Sequence, residues 1–455
     1  MNNSNHHPEL LQPFTYPYET LQQIANDVLT LAKKGGADAC EMHVSDGSGQ
    51  NVTVRQGEVE TIEYTRDKGL SVTVHIGHKR GNASSSDFSP QAIHETVSAA
   101  LSIARYTADD IYAGLADKDQ LAVSFPDLDL YHPWSLSVEA AIELAHRCEA
   151  VALATDKRIT NSEGASVSVG ASRFVYANSH GFNAGYPLSR HSISCAVIAG
   201  EQSNMQRDYW YSVARAASDL EAIEEIGKKA GMRTLARLGA RKIATCEVPV
   251  LFESTISSGL LGYFVKAISG SSLYRKSSFL LDSIGKQVFP ATIQISELPH
   301  LPKGLASCAF DDEGVATHPR KVVENGIVQG YFLGSYTARK LGMRSTGNAG
   351  GSHNLILKND VSLPFDALLK KMNKGLLVTE LLGHGVNLVT GDFSQGAAGF
   401  WVENGEISYP VEEITIAGNL KEMLSGIVAV GDDIIVRGSR HCGSLLIERM
   451  TIAGH

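Results

Sequence analysis

Sixteen histidines and six cysteines are spread through this chain of 455 residues. The first question is whether any stand at a spacing that does chemistry. His94-Glu95 opens the kind of pair found on zincin helices. Such a helix needs a second histidine four positions on, so that both imidazoles face one metal. That position is Ser98, and the next, needed for H-E-x-x-x-H, is Ala99. His94 and Glu95 therefore read as surface residues. His75 and His78 are two imidazoles at a strand end without the third or fourth ligand of a zinc site. His180, His353, His384 and His441 are isolated in sequence. There is no G-x-S-x-G elbow to expose a nucleophilic serine and no G-x-x-x-x-G-K-[ST] loop to cradle phosphates. Gly347, Gly350 and Gly351 lack the strand-to-helix context of a dinucleotide site and read as a loop.

Cys40, Cys148, Cys195, Cys246, Cys308 and Cys442 are widely separated and contain no C-x-x-C. In a chain this long, that pattern points to reduced thiols in the cytoplasm. Residues Met1 to Pro13 are polar, with no apolar core of a secretory signal, and His6 and His7 read as part of a frayed start. No long uncharged apolar run suggests a membrane span. The formal charge of -9 disfavours a nucleic-acid partner. The one basic run, Arg233, Arg237, Arg241 and Lys242, reads as a solvated helix face.

The elements that must position these residues follow from periodicity. Leu21, Ile24, Val28, Leu29 and Ala32 predict a helix over Tyr18 to Lys34, ended by Gly35-Gly36. A meander is expected next, with strands at 51–54, 59–64 and 70–75 punctuated by Gly57, Gly69 and Gly81. Ser89-Pro90 starts a second helix, whose apolar face is Ile93, Val97, Leu101 and Ala104. A third helix spans about 137–154, strands fill 159–217, and a helix covers about 219–238. Val248 to Phe252 reads as a strand and Ile256 to Ile268 as a helix. Beyond Leu301 the chain is turn-rich and β-like, with Asn325-Gly326 and Asn404-Gly405 as type I′ hairpin signals and a helix near 365–374. Strands grouped with strands give an α+β class. The expected domains are 1–243, an α/β half with antiparallel meanders and helices that could divide at 1–115 and 134–243, and 244–455, a β-rich barrel- or sandwich-like half.

Several strings are distinctive: Phe310-Asp-Asp-Glu-Gly-Val-Ala-Thr, Gly334-Ser-Tyr-Thr-Ala-Arg-Lys-Leu-Gly, Ser345-Thr-Gly-Asn-Ala-Gly-Gly, and the run from Thr390-Gly-Asp-Phe-Ser-Gln-Gly to Trp401-Val-Glu-Asn-Gly. Ala83-Ser-Ser-Ser-Asp-Phe-Ser-Pro and Asp156-Lys-Arg-Ile-Thr-Asn agree with them. Together they resemble the TldD/PmbA metallopeptidase family over nearly the whole chain, and within it the PmbA (TldE) type of subunit. The resemblance implies a cytoplasmic heterodimer with a TldD-like chain, which degrades unstructured peptides and trims leader peptides. In the TldD type, H-E-x-x-x-H lies on a helix and a later Cys-Gly adds a ligand.

Aligning Tyr274-Arg275-Lys276-Ser277 with the family's Asn-Arg-Lys-Gly string places Gly262 and Ala267 at the two histidines and Tyr263 at the glutamate. Cys442-Gly443 keeps the later string. The resemblance therefore implies that this chain has no catalytic residue and no metal, with zinc in the partner. Two alternatives stay open: a metallopeptidase active on its own, and a non-proteolytic regulator acting on DNA gyrase or a carbon-storage regulator. The isolated chain could also form a homodimer.

Overall fold

A computed structural model describes residues 13–454. The polar start, His6 and His7 included, lies outside the described residues apart from Pro13. The chain forms two compact units. One takes the chain through Gly200, Arg207–Leu235 and Ala309–Ala316, and the other takes Glu201–Gln206, Ala236–Cys308 and Thr317–His455.

The first unit is built on β1 (Ala39–Arg55), β2 (Glu58–Ile76), β3 (Lys79–Ser85), β4 (Ile159–Asn178), β5 (Asn183–Ala184), β6 (Pro187–Ala199) and β7 (Gln206–Ala214). Their order is β3-β2-β1-β4-β6-β7, with β5 on β4. The pairings from β3 to β6 are antiparallel. The expected strands at 59–64 and 70–75 are one strand, and Gly69 lies inside it, paired with Ser45. A glycine ends a strand only where the chain must turn, and here β1 continues alongside to hold the ladder. The turn falls at Gln56-Gly57, where φ is 54° and 79°.

Four helices cover this sheet: α1 (Tyr18–Lys34), α2 (Pro90–Tyr106), α3 (Val138–Ala154) and α4 (Ile223–Ala236). Ser89 caps α2 by accepting from the Ala92 N–H at 3.3 Å, and Ser137 caps α3 through the Ala140 N–H at 3.2 Å. α1 and α2 bury Leu21, Val28, Val97 and Leu101 against Met42, Val44, Val72 and Val74. Each such side chain contributes roughly 1.5–3 kcal/mol when fully buried. From α3 the buried Glu149 reaches the β1–β2 turn, accepting from the Gln56 and Gly57 N–H groups at 2.8 and 2.9 Å. The segment Ala309–Ala316 belongs here because Phe310 sits among the rings of Phe125, Phe174, Phe182 and Tyr186.

The basic run is not a solvated helix face. α4 ends at Ala236, and Arg233 reaches Asp208 at 3.4 Å with only a fifth of its side chain exposed. In the second unit Arg237 pairs with Glu380 at 2.6 Å, Lys242 pairs with Glu413 at 2.6 Å, and Arg241 lies over the Tyr409 ring. Arg233 and Arg237 are thereby partly buried, while Arg241 and Lys242, beyond the end of the helix, stay exposed beside their partners.

The second unit carries β8 (Cys246–Phe252), β9 (Ile293–Glu297), β10 (Arg320–Glu324), β11 (Ile327–Val328), β12 (Leu355–Asn359), β13 (Gly375–Leu382), β14 (Asp392–Glu403), β15 (Glu406–Asn419), β16 (Ile427–Val430), β17 (Arg440–His441) and β18 (Leu445–Ala453). Strands β15-β14-β13-β8-β18 close into a barrel because β18 pairs back onto β15 at Thr415 to Ala417. A second sheet runs β11-β10-β9-β12-β17. Helices α5 (Ser254–Ala267), α6 (Gly270–Tyr274), α7 (Ser335–Lys340), α8 (Phe365–Met372) and α9 (Leu420–Ser425) complete the unit. Both expected type I′ turns form, with φ of 50° and 75° at Asn325-Gly326 and 55° and 76° at Asn404-Gly405. The α+β class and the barrel-like second half stand. One apolar core, including Phe252, Phe264, Phe289 and Phe393, serves both sheets.

Candidate functional site

The positions aligned with a zinc site fall on α5 and on the segment after β17. Helix α5 follows β8 directly, and its Leu260, Leu261 and Phe264 point into the core. Its first N–H groups need acceptors from elsewhere. Ser254 N–H donates to Ser444 Oγ at 3.0 Å. Ser444 is fixed in turn by Asp433, donating its N–H to Oδ1 at 2.8 Å and its hydroxyl to Oδ2 at 2.6 Å. Gly443 is required beside it, because a Cβ there would stand 2.1 Å from the Gly431 carbonyl oxygen. Helix start and Cys-Gly string are thus locked together.

This framework sets the Cys442 segment against α5 at Ser257, yet it does not offer the four positions as ligands. A Cβ at Gly262 would lie 2.1 Å from Nη1 of Arg440. An imidazole could enter only by displacing that guanidinium. Arg440 is half-buried, and burial lowers its pKa from the ordinary 12.5. A guanidinium remains charged even so. The side chain at the place of a first ligand is therefore a cation. Tyr263 packs edge-on against Phe393, with centroids 6.2 Å apart, and Ala267 is fully buried in the core. Cys442 is buried, and burial pushes its thiol up to about 12, with Ser257 opposing and Asp433 reinforcing the shift. The ligand form of cysteine is the thiolate. Gly262 and Ala267 carry no donor atom and Tyr263 packs on Phe393, which leaves Cys442 as one ligand where a zinc site needs at least three.

The other isolated residues scatter. His94 is exposed on α2. His180 Nδ1 contacts the Ala116 carbonyl at 3.1 Å, fixing a turn. His441 is buried, and burial lowers its pKa, with a Gly438 backbone bond opposing. The pair that sequence spacing missed is Cys308 and His353. They are 45 residues apart, and the structure brings Sγ and Nδ1 to 3.1 Å. The only sequence signal was the glycine loop that ends at His353.

Comparison with known proteins matches the PmbA/TldA metallopeptidase family in three consecutive parts: domain 1 at residues 40–104, the central domain at 131–238 and the C-terminal domain at 245–454. The chain is 52% identical over 434 residues to Metalloprotease PmbA of Escherichia coli O157:H7, covering 95% of this chain and 96% of that one. A solved structure from Bacteroides thetaiotaomicron, named as a candidate modulator of DNA gyrase, superposes with a TM-score of 0.91 at 29% identity, covering 97% of this chain and all of that one. TldE from Thermococcus kodakarensis shares the fold, with a TM-score of 0.82 at 20% identity over 95% of this chain and 100% of that chain.

Proposed function

The chain belongs to the PmbA/TldA metallopeptidase family, and from that premise we propose that it is the zinc-free subunit of a two-chain cytoplasmic peptidase. Its partner is a TldD-like chain that holds the metal and the general base. The pair acts on unstructured peptides and trims leader peptides. A zinc peptidase needs imidazole or carboxylate ligands and a carboxylate that deprotonates the attacking water. The observation that carries the reading is Arg440, whose guanidinium lies where a ligand at Gly262 would reach. A positive charge there repels a second cation at the same place. The free state of the six cysteines supports a reducing compartment.

In this reading the chain's own residues are structural at the former metal position. Asp433 and Ser444 hold the start of α5, Cys442 packs beneath it, and Arg440 presents a cation beside Gly262. The β-rich unit supplies surface for extended peptide, which backbone pairing at a sheet edge would grip without regard to sequence.

The test is co-expression with a TldD-like chain, followed by size-exclusion with mass measurement and metal analysis of each separated subunit. The expected result is one stable complex, with an interface above about 1,000 Å², and zinc on the partner alone. Stoichiometric zinc on this chain after dialysis would overturn the zinc-free assignment. Separate elution at micromolar concentration would overturn the partnership, and retention of a gyrase subunit instead would favour the regulator.

A further inference from the structure

Cys308 lies in the second unit at the end of a turn held from several sides. Its N–H donates to the Pro299 carbonyl at 3.0 Å, and its carbonyl accepts from Thr317 Oγ1 at 2.7 Å. Asn354 clamps the preceding residue, Ser307, at 2.7 Å. The cysteine itself remains partly exposed. Facing it is His353, with Nδ1 3.1 Å from Sγ.

The tautomer of His353 follows from its other nitrogen. Nε2 is 2.7 Å from the carbonyl oxygen of Gly347. A carbonyl only accepts, so Nε2 carries the proton and Nδ1 of the neutral ring presents a lone pair. Cys308 Sγ lies against this ring, 3.1 Å from Nδ1 and 3.7 Å from Nε2, so Nδ1 is the base in contact with it, and the S–H must turn toward that lone pair to give up its proton. The ring cannot drift from this position easily. Its backbone N–H donates to the buried Glu297 at 2.8 Å, and Glu297 also takes Asn348 Nδ2 at 2.8 Å and Arg320 Nε at 2.7 Å. Positive φ at Gly347, Gly350 and Gly351 folds the loop over this carboxylate. His300 and His318 are the further titratable groups nearby: His300 bonds to Thr317 Oγ1 at 3.0 Å, and burial, then His318, then His353 lower its pKa.

We propose that Cys308 and His353 form a thiol–imidazole pair that makes Cys308 a site of reversible mixed-disulfide formation with low-molecular-weight disulfides. The Sγ proton passes to His353 Nδ1. The sulfur attacks one sulfur of the disulfide, a new S–S bond forms as the old one breaks, and the departing thiolate takes the proton back from Nδ1. The net change is thiol plus disulfide giving mixed disulfide plus thiol, with the small disulfide as oxidant. A base in contact with the thiol raises the thiolate fraction on which the rate depends.

The other cysteines supply internal controls. Cys40, Cys148, Cys195 and Cys442 are buried. Cys246 is exposed to a similar degree, and no imidazole bonds to it among the described residues. The experiment treats the full chain with oxidised glutathione near neutral pH and follows each cysteine by peptide mass mapping. Iodoacetamide, run in parallel, reports thiolate access with a smaller electrophile. Cys308 should react about tenfold faster than Cys246 with both reagents, and a reductant should reverse the glutathione adduct. His353→Gln should bring Cys308 down to the rate of Cys246, with the melting curve confirming the fold. Equal rates at Cys308 and Cys246 in the unaltered chain would overturn the proposal, and this comparison needs no variant. An unchanged rate in folded His353→Gln would also overturn it, as would fast alkylation without glutathione adduct.

Discussion

Cys442 and Cys308 stand in the same unit and have opposite surroundings. Cys442 occupies the position that family resemblance marks for chemistry, but it is buried, its polar neighbours are Ser257, Gly443 and Asp433, and its thiol is held protonated. Cys308 occupies a position that no motif marks, yet it is partly exposed and in contact with an oriented imidazole. The difference teaches that a position marked by sequence similarity can serve packing alone: Ala267 lies in the core, with Tyr263 and Arg440 partly buried beside the same helix. Reactivity instead needs a nucleophile, a base and a rigid support converging from distant segments.

The largest expected effect comes from removing that support. Glu297 is nearly fully buried and holds Arg320, Asn348 and the His353 backbone together. Glu297→Ala leaves a guanidinium and an amide donor without their acceptor. Deleting one partner of a buried ion pair costs about 3–5 kcal/mol, and the lower end is expected because Arg320 keeps a fifth of its side chain in water. Urea denaturation measures the loss. Glutathionylation of Cys308 should slow at the same time, since the His353 backbone and Asn348 lose the acceptor that holds their loop in place. A stable variant with unchanged Cys308 reactivity would show that the network does not position the pair.

The second effect belongs to Cys442 and depends on pH. Its pKa rises from 9.0 to about 12 on folding, because burial disfavours the thiolate. Below 9 the thiol is protonated in both states and its contribution is fully present. Between 9 and 12 the unfolded chain ionises while the folded chain does not, so stability falls as pH rises. At ~1.4 kcal/mol for each pH step of one within that window, the loss reaches a few kcal/mol. Cys40 is raised to about 12 by burial and Glu41 and acts in the same direction. Urea midpoints at about pH 8 and about pH 10.5, either side of the ordinary thiol pKa, should fall less steeply in Cys442→Ala than in the unaltered chain. Parallel slopes would show that the thiolate is not excluded from this core.

Much of the scaffold was legible because local rules and the tertiary fold agree. Ser89-Pro90 starts its helix and Ser137 caps the next, and both Asn-Gly pairs take the positive φ values that hairpin turns need. Failures came where partners are remote. Gly69 looked like a strand end, but its neighbour in space is Ser45 on β1. The arginine run looked solvated, because Asp208, Glu380 and Tyr409 cannot be anticipated from spacing. Resemblance located Gly262, Tyr263, Ala267 and Cys442, but only the fold brings Arg440 beside the first of them. Cys308 and His353 were invisible as a pair, since 45 residues separate them and each alone is a common surface or loop residue.

The smallest effect should come from Cys442→Ala at neutral pH, and it bears most directly on the comparison. The substitution removes one buried sulfur. It leaves the Ser257 hydroxyl with the Ser254 and Cys442 carbonyls it already contacts, because neither bond uses the sulfur. The cost is therefore a small cavity, about 1–2 kcal/mol by analogy with modest core truncations. Asp433, Ser444 and the start of α5 remain bonded. If the partner holds the metal and general base, reconstituted peptidase activity on an unstructured peptide should change less than about twofold, because no transition-state contact is lost. Removing the partner's own cysteine ligand should abolish turnover, since an open catalytic site tolerates no ligand loss. Activity lost in Cys442→Ala, with co-elution and melting preserved, would place Cys442 in a functioning site. The contrast with Cys308 would then fail at its first term.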